Sequence, residues 1–159
     1  MTKVYMNDEV FINKGFSIST DQTLLDIDLI YKYLDTDSYW ANGIPLEKLE
    51  RSIKNSLCFG LYFEQKQIGF ARVVTDNAIF AYLADVFVLP EHRKKGLSKW
   101  LMQTIMAHPD LQGMRRWMLA TVDAHGLYAQ FGFTELNNPE RWMQIFTPHK
   151  VAESWIDEH

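Results

Sequence analysis

The apolar residues of this chain recur with strand-like and helix-like periods in turn, which predicts alternating strands and helices. Polar turns separate these runs, and Pro and Gly mark several of their ends. In chain order, the pattern predicts a strand at 16–19, helices at about 20–34 and 46–55, strands at 57–63, 67–74 and 79–89, a helix at 97–107, a strand at 116–122, a short helix at 123–132, and closing strands at 133–136 and 142–146.

The connections between these elements predict a mixed sheet. Short polar turns join the three strands between residues 57 and 89, so these strands should be antiparallel. The strand at 116–122 follows a helix, and such a crossover makes it parallel to its predecessor. We therefore expect an α/β (α+β) fold, with a central sheet of six to seven strands flanked by about four helices.

The pattern also suggests one domain over 1–159, with its core at about 16–146. Residues 1–15 are weakly patterned and predict an extra edge strand or a loose arm with no assigned function. The segment after 146 is predicted as a final helical turn or a tail.

Composition narrows the classes of function. The chain has 159 residues, 47% of them hydrophobic and 14% aromatic, which is enough for one well-filled core. Its net charge of −4 argues against a nucleic-acid partner. The single cysteine, Cys58, excludes an intramolecular disulfide and fits a cytoplasmic location. No apolar run has membrane-spanning length, so no membrane partner is expected.

A short cationic loop at Arg93–Gly96 interrupts this acidic background. It follows an apolar run that ends at Pro90, and it precedes a helix that begins near Leu97. Free N–H groups and the macrodipole at a helix start favour an anion, and glycine allows close approach. The loop lacks both the Walker ending and the three-glycine dinucleotide pattern. The alternative is a solvated basic loop without a ligand.

In its context, the sequence Arg93-Lys94-Lys95-Gly96-Leu97-Ser98 resembles the R/Q-x-x-G-x-G/A loop of the GNAT N-acetyltransferase superfamily, which holds the pyrophosphate of coenzyme A. Ser98 stands where glycine or alanine is usual, so we expect tighter clearance there. The segment 127–133, LYAQFGF, resembles the family's l-Y-x-x-x-G-F segment. The predicted order of elements is also similar to that of this family.

This resemblance implies acetyl-CoA as co-substrate, no metal, and direct attack by a primary amine of a small molecule or protein in a ternary complex. It implies Tyr128 as the general acid that protonates the leaving thiolate. Asp123 stands where many relatives carry asparagine, so a coenzyme contact there would be altered. The implied coenzyme contacts are Val86, Phe87, Val88, Arg93, Lys94, Lys95, Gly96, Leu97, Ser98 and Asp123.

The residues by themselves leave the proton transfers open. A phenol is protonated at neutral pH, so Tyr128 could donate a proton or could simply pack under the sheet. Asp85 interrupts the apolar run at 81–89, which makes it a candidate base. The alternative for Asp85 is a carboxylate that is solvated or hydrogen-bonded to a neighbouring strand. His125 or a water molecule could also accept the proton.

The acceptor side rests on the loop after the first helix. Tyr39 and Trp40 are predicted to form part of the acceptor wall, although they could instead only anchor the loop. A non-catalytic coenzyme-A-binding sensor of the same fold is the main alternative function, and a module for another phosphate-bearing ligand is a further one. The sequence leaves open whether the protein is a monomer or a homodimer.

Overall fold

A computed structural model gives the structure of residues 8–150, and residues 1–7 and 151–159 lie outside the described part. The elements are α1 Asp8–Asn13, β1 Phe16–Ser19, α2 Ile27–Lys32, α3 Leu46–Lys54, β2 Leu57–Phe63, β3 Lys66–Thr75, β4 Phe80–Val88, α4 Leu97–Ala107, β5 Arg116–Met118 and α5 His125–Ala129.

The five strands form one mixed sheet in the order β1-β2-β3-β4-β5. The first three pairings are antiparallel. Short turns join β2 to β3 and β3 to β4, whereas α2 and α3 lie between β1 and β2 in the chain. The pairing of β4 with β5 is parallel, since α4 carries the chain back across the sheet. This confirms the predicted α/β fold class, with five strands within residues 8–150 instead of six to seven.

Apolar residues cover both faces of the sheet. Helices α2 and α3 pack on one face and α4 on the other, so the central strands are buried on both sides. The first face holds Ile30, Leu34, Leu49 and Ile53 against Cys58, Phe70 and Phe87, and the second holds Leu101, Met102 and Ile105 against Phe59, Val73 and Leu83.

The region predicted as one helix at about 20–34 is divided in the structure. Asp21 caps a 3₁₀ turn at Gln22–Leu24, and Asp26 starts α2 by accepting a hydrogen bond from the Leu29 N–H at 3.1 Å. The two aspartates offer competing caps, and each begins its own turn. After α2, a π-helical turn at Tyr33–Asp37 ends the helix, with the Ser38 N–H donating to the Tyr33 carbonyl.

The two ends of the chain differ most from expectation. The predicted closing strands at 133–136 and 142–146 are wrong, because neither segment pairs with a strand within residues 8–150. Met143 and Ile145 are fully exposed, which shows that a strand-like sequence pattern is not sufficient for pairing with the sheet. β5 is also shorter than predicted, ending at Met118.

At the other end, residues 8–13 form α1 where an edge strand or loose arm was expected. Phe11 of this helix stacks on Trp100 of α4 with ring centroids 4.6 Å apart, which fixes α1 against the domain. Of the segment after 146, predicted as a final helical turn or a tail, residues 147–150 form no helix, and residues 151–159 lie outside the described part. Within 8–150, no helix is both long and apolar enough to cross a membrane.

Candidate active site

The parallel strands β4 and β5 separate after a short shared stretch. Phe80–Tyr82 pairs with Arg116–Met118, and the pairing ends there. Residues 83–88 of β4 therefore have no β5 partner on that side. We call the opening between residues 83–88 and the segment 119–124 after β5 the cleft. Openings between separating parallel strands are common ligand sites, because their backbone groups are available to a ligand.

A β-bulge lies in the part of β4 that borders the cleft. Phe70 pairs with Phe87 and Arg72 with Ala84, so Ala71 of β3 is left opposite two residues of β4. Asp85 lies in this bulge with a φ of 56°, a left-handed conformation that is uncommon for residues other than glycine. The bulge reverses the alternation of β4 side chains. Leu83 packs toward α4, whereas Phe87 packs toward α2.

The Asp85 carboxylate is bonded on both of its oxygens. Arg72 Nε donates to Oδ2 at 2.8 Å, and Trp40 Nε1 donates to Oδ1 at 3.0 Å. This geometry favours the alternative in which Asp85 is hydrogen-bonded to a neighbouring strand. The role of Asp85 as base remains a prediction.

The start of α4 has the features of an anion site. Gly96 is the N-cap residue with a φ of 79°, and no side chain caps the helix. The first-turn N–H groups, at Leu97 and Ser98, are thus left for water or a ligand. Lys94, with a φ of 63°, and Lys95 are exposed beside them. Lys95 also lies 6.0 Å from the centre of the Phe16 ring. These groups fit a phosphate or a similar anion.

Arg93, predicted as a coenzyme contact, is held by the protein frame. Its Nε donates to the Val88 carbonyl at 2.9 Å, and its Nη2 donates to the Tyr33 hydroxyl at 3.0 Å. Tyr33 in turn stacks on Phe87 with centroids 3.9 Å apart. Arg93 therefore fastens the cationic loop to the end of β4 and to the end of α2.

Tyr128 lies on α5 in the apolar cluster that contains Leu83 of β4. Its side chain is buried, and this burial, with smaller contributions from Tyr39 and Asp123, raises the pKa of Tyr128 to about 12. The hydroxyl is therefore protonated throughout the neutral range, as a proton donor must be. Asp123 belongs to the segment 119–124 that borders the cleft, and its charge is the smallest of the three causes that raise the pKa of Tyr128.

The loop after the π-helical turn touches both sides of the cleft. Trp40 contacts Asp85 of β4, and the Tyr39 hydroxyl accepts a hydrogen bond from the Val122 N–H at 3.0 Å. The loop is preorganised, because the buried Ser38 hydroxyl donates to the Leu34 carbonyl and accepts from the Ala41 N–H. Tyr39 and Trp40 thus lie together at the cleft, and their role as part of an acceptor wall remains a prediction.

A cavity of about 490 Å³ adjoins this loop. Tyr39 and Trp40 form one wall, and the segment from Phe146 to Lys150 forms the other. Tyr39 therefore borders both the cavity and, through its bond to Val122, the cleft. A larger cavity of about 550 Å³ lies between the outer side of β5 and residues 131–142, and it shares no lining residue with the cleft residues described above.

Sequence reasoning missed Arg72. The sequence feature that could have indicated its role is the position of Arg72, a cation inside the apolar run of β3. Asp85 is likewise an acid inside the apolar run of β4. Arg72 also donates to the Ser56 hydroxyl at 3.1 Å. The nearby Cys58 thiol is buried, and this burial raises its pKa to about 12. His125 starts α5 and is exposed, with no contact that joins it to the cleft among the residues described.

Comparison with known proteins identifies the family. Residues 54–135 match the family of acetyltransferase (GNAT) domains, a stretch that holds β2 to α5 and the whole cleft. The chain belongs to the GNAT acetyltransferase family. A candidate acetyltransferase of the GNAT family from Xanthomonas campestris pv. campestris has a similar crystal structure, with 55% sequence identity and a TM-score of 0.82, covering 84% of this chain and 94% of that one.

More distant matches add less about this chain. A candidate acetyltransferase from Gibberella zeae is 34% identical over 109 residues, which cover 57% of this chain and 62% of that protein. The chain thus spans less than two thirds of this curated relative. An N-acetylglutamate synthase from Neisseria gonorrhoeae, solved with coenzyme A and N-acetylglutamate, shares the fold, with 20% identity and a TM-score of 0.60 over 79% of this chain and 31% of that one.

Proposed function

We propose that this GNAT protein is an acetyl-CoA-dependent N-acetyltransferase that acetylates a primary amine of a small molecule or a protein. The observation that carries the proposal is the cleft itself. Residues 83–88 of β4 run from the Tyr128 cluster to the loop that precedes the uncapped start of α4. One strand thus connects a site for phosphates with a buried proton donor.

The co-substrate would be bound mainly by backbone groups. The N–H groups at the start of α4 and the exposed Lys94 and Lys95 would bind the pyrophosphate, with Gly96 allowing close approach. Val86–Val88 would bind the acyl arm along the edge that β5 leaves unpaired. Arg93 would fix the position of the cationic loop, since its hydrogen bonds go to the Val88 carbonyl and the Tyr33 hydroxyl.

Acetyl-CoA would supply an acetyl thioester. In the proposed direct transfer, the amine nitrogen bonds to the carbonyl carbon and the carbon–sulfur bond breaks. The amine loses one proton and the departing thiolate gains one, so the step balances. Tyr128 holds the proton for the thiolate, because its raised pKa keeps it protonated. With Asp85 bonded to Arg72 and Trp40, we assign removal of the amine proton to water.

The acceptor amine would enter along Tyr39 and Trp40. Both aromatic side chains are exposed, and they line the cavity of about 490 Å³ beside the cleft. Rigid aromatic walls provide contact area at a low cost in conformational entropy. This wall suits an acceptor with an apolar body beside its amine.

The test is an acceptor screen with acetyl-CoA that measures free thiol release and confirms acetylated products by mass spectrometry. We expect thiol release that depends on the acceptor and an added acetyl group on its nitrogen. Tight acetyl-CoA binding without product across small amines, peptides and protein N-termini would instead support a coenzyme-A-binding sensor. Stronger thermal stabilisation by other nucleotides than by coenzyme A would contradict the coenzyme assignment.

A further inference from the structure

A chain of polar contacts crosses the sheet face beside the cleft. Arg72 of β3 bonds to Asp85 in the β4 bulge, and Asp85 bonds to the Trp40 indole in the acceptor-side loop. On its other side, Arg72 donates to the Ser56 hydroxyl at the start of β2. These contacts join residues that are far apart in sequence, and they end at the wall proposed for the acceptor.

The charged pair within this chain of contacts is largely withdrawn from water. The side chains of Arg72 and Asp85 are 17% and 9% exposed, whereas those of the surface pair Arg51 and Glu47 are 68% and 83% exposed. Burying two charges costs desolvation, which their attraction repays only with good geometry and further hydrogen bonds. Both conditions are met here, because Ser56 and Trp40 supply the further bonds.

The Arg72–Asp85 pair can stabilise an unusual backbone conformation at Asp85. Its φ of 56° is unfavourable for a residue with a β-carbon, and such a conformation persists only when its surroundings fix it. The same bulge turns Phe87 toward Tyr33, and Tyr33 contacts Trp40 with ring centroids 6.5 Å apart. Trp40 is therefore connected to β4 by a hydrogen bond and through an aromatic contact.

We propose that Arg72 is a positioning residue, which acts through Asp85 to fix both the β4 bulge and the Trp40 wall, so that acceptor and acyl arm meet in one geometry. This inference rests on the proposed acetyl transfer for its kinetic consequence. Its structural consequence can be measured without any activity. Neither Arg72 nor Asp85 needs to touch a reacting atom in this role.

The first experiment replaces Trp40 with Phe, which removes the indole N–H and keeps an aromatic ring. We expect the KM for the acceptor to rise about tenfold, the loss of one hydrogen bond to a charged group. The acetyl-CoA affinity should stay near wild type, and the Tm should fall by less than in Arg72→Gln, because Asp85 keeps its bond to Arg72. Trp142→Phe is the matched control, because Trp142 is 40% exposed against 38% for Trp40 and lies away from the cleft.

The second experiment replaces Arg72 with Gln, alone and together with Asp85→Asn. The single variant leaves Asp85 as an unpaired buried charge and should lower the Tm, whereas the double variant should recover part of it. Both variants should keep a raised acceptor KM and a reduced kcat, because neither has the guanidinium that holds the bulge. Arg51→Gln at the exposed pair is the control and should change none of these quantities.

Amide hydrogen exchange reports on the bulge in the absence of acceptor and coenzyme. In Arg72→Gln we expect faster exchange at residues 84–87 and at the Trp40 indole, with the pairing of β1 and β2 unchanged. If exchange is faster in Arg72→Gln but no acceptor is acetylated, the proposed function is wrong and the positioning role of Arg72 is still supported.

Two outcomes would overturn the positioning role itself. One is an Arg72→Gln variant with a lower Tm but with wild-type acceptor KM, kcat and exchange at 84–87, which would make the pair purely structural. The other is an unchanged acceptor KM in Trp40→Phe, which would remove the link between Asp85 and the acceptor wall.

Discussion

The start of α4 and the loop that carries Tyr39 and Trp40 lie on opposite sides of the proposed chemistry and are built in different ways. The start of α4 is made from consecutive residues, and its anion-binding groups are backbone N–H groups with neighbouring lysines. The Tyr39–Trp40 loop is fixed by residues far away in sequence, at positions 85 and 122. A local structure should bind the common co-substrate, whereas a non-local one can vary the acceptor.

This division of roles predicts the largest effect at Tyr128. Tyr128→Phe should lower kcat about 100-fold or more, because it removes a proton donor and keeps the ring in its apolar cluster. Acetyl-CoA affinity should change less than about twofold by the same reasoning. Steady-state kinetics and calorimetric titration measure the two quantities.

Tyr62→Phe is the control for that prediction. Tyr62 is also buried, and its hydroxyl has no hydrogen-bond partner among residues 8–150, so its removal should leave kcat unchanged. Equal kcat values for Tyr128→Phe and the wild type would show that Tyr128 only packs.

The opposite pattern is predicted at the start of α4. The double variant Lys94→Ala/Lys95→Ala should weaken acetyl-CoA binding about tenfold at low salt, and less at high salt as screening grows. The kcat at saturating co-substrate should stay near wild type. Lys48→Ala, an exposed lysine on α3, serves as the control. A fall in kcat without a change in affinity would break the division between the two regions.

A smaller effect is predicted for stability at alkaline pH. Burial raises the folded-state pKa of Tyr128 to about 12, above the ordinary value near 10. The stability contributed by the protonated phenol is therefore complete below about pH 10 and is lost as the pH rises toward 12. The free energy of unfolding in urea should fall more steeply over this window for the wild type than for Tyr128→Phe. Identical slopes would argue against a buried Tyr128 hydroxyl.

The smallest effect is predicted for the exposed ion pair of α3. Arg51→Gln removes a contact of 2.9 Å to Glu47, one turn earlier on the same helix. Because both side chains are largely in water, the free energy of unfolding should change by less than about 0.5 kcal/mol. Denaturant titration of Arg51→Gln and Arg72→Gln together would show whether the buried ion pair contributes more to the free energy of unfolding than the exposed one. A larger loss in Arg51→Gln than in Arg72→Gln would contradict that distinction.

The same contrast explains what the sequence could predict. The three antiparallel strands from 57 to 89, α3 and α4 were located to within about two residues, because polar turns, Pro45 and Gly96 mark their ends locally. The glycine conformation at 96 also follows from local chemistry. The fold class and the geometry at the start of α4 were therefore accessible from residue order.

The parts that were missed depend on distant partners. Residues 142–146 have a strand-like sequence, but a strand needs a neighbour, and none pairs with them within residues 8–150. The contact of Arg72 with Asp85 depends on the hairpin register and on a bulge, neither of which the alternation of apolar residues determines. The bond from Trp40 joins residues 45 positions apart. No local pattern specifies such pairs.

The buried Cys58 has a practical consequence for the thiol-release assay proposed above. It is the only cysteine in the sequence, and burial raises its pKa to about 12, so very little of it is thiolate at neutral pH. Disulfide reagents react with thiolates, so the folded protein should contribute almost no background colour while released coenzyme is counted. Because Cys58 is unreactive, a single cysteine introduced at an exposed position would carry a dye or spin label at one known place.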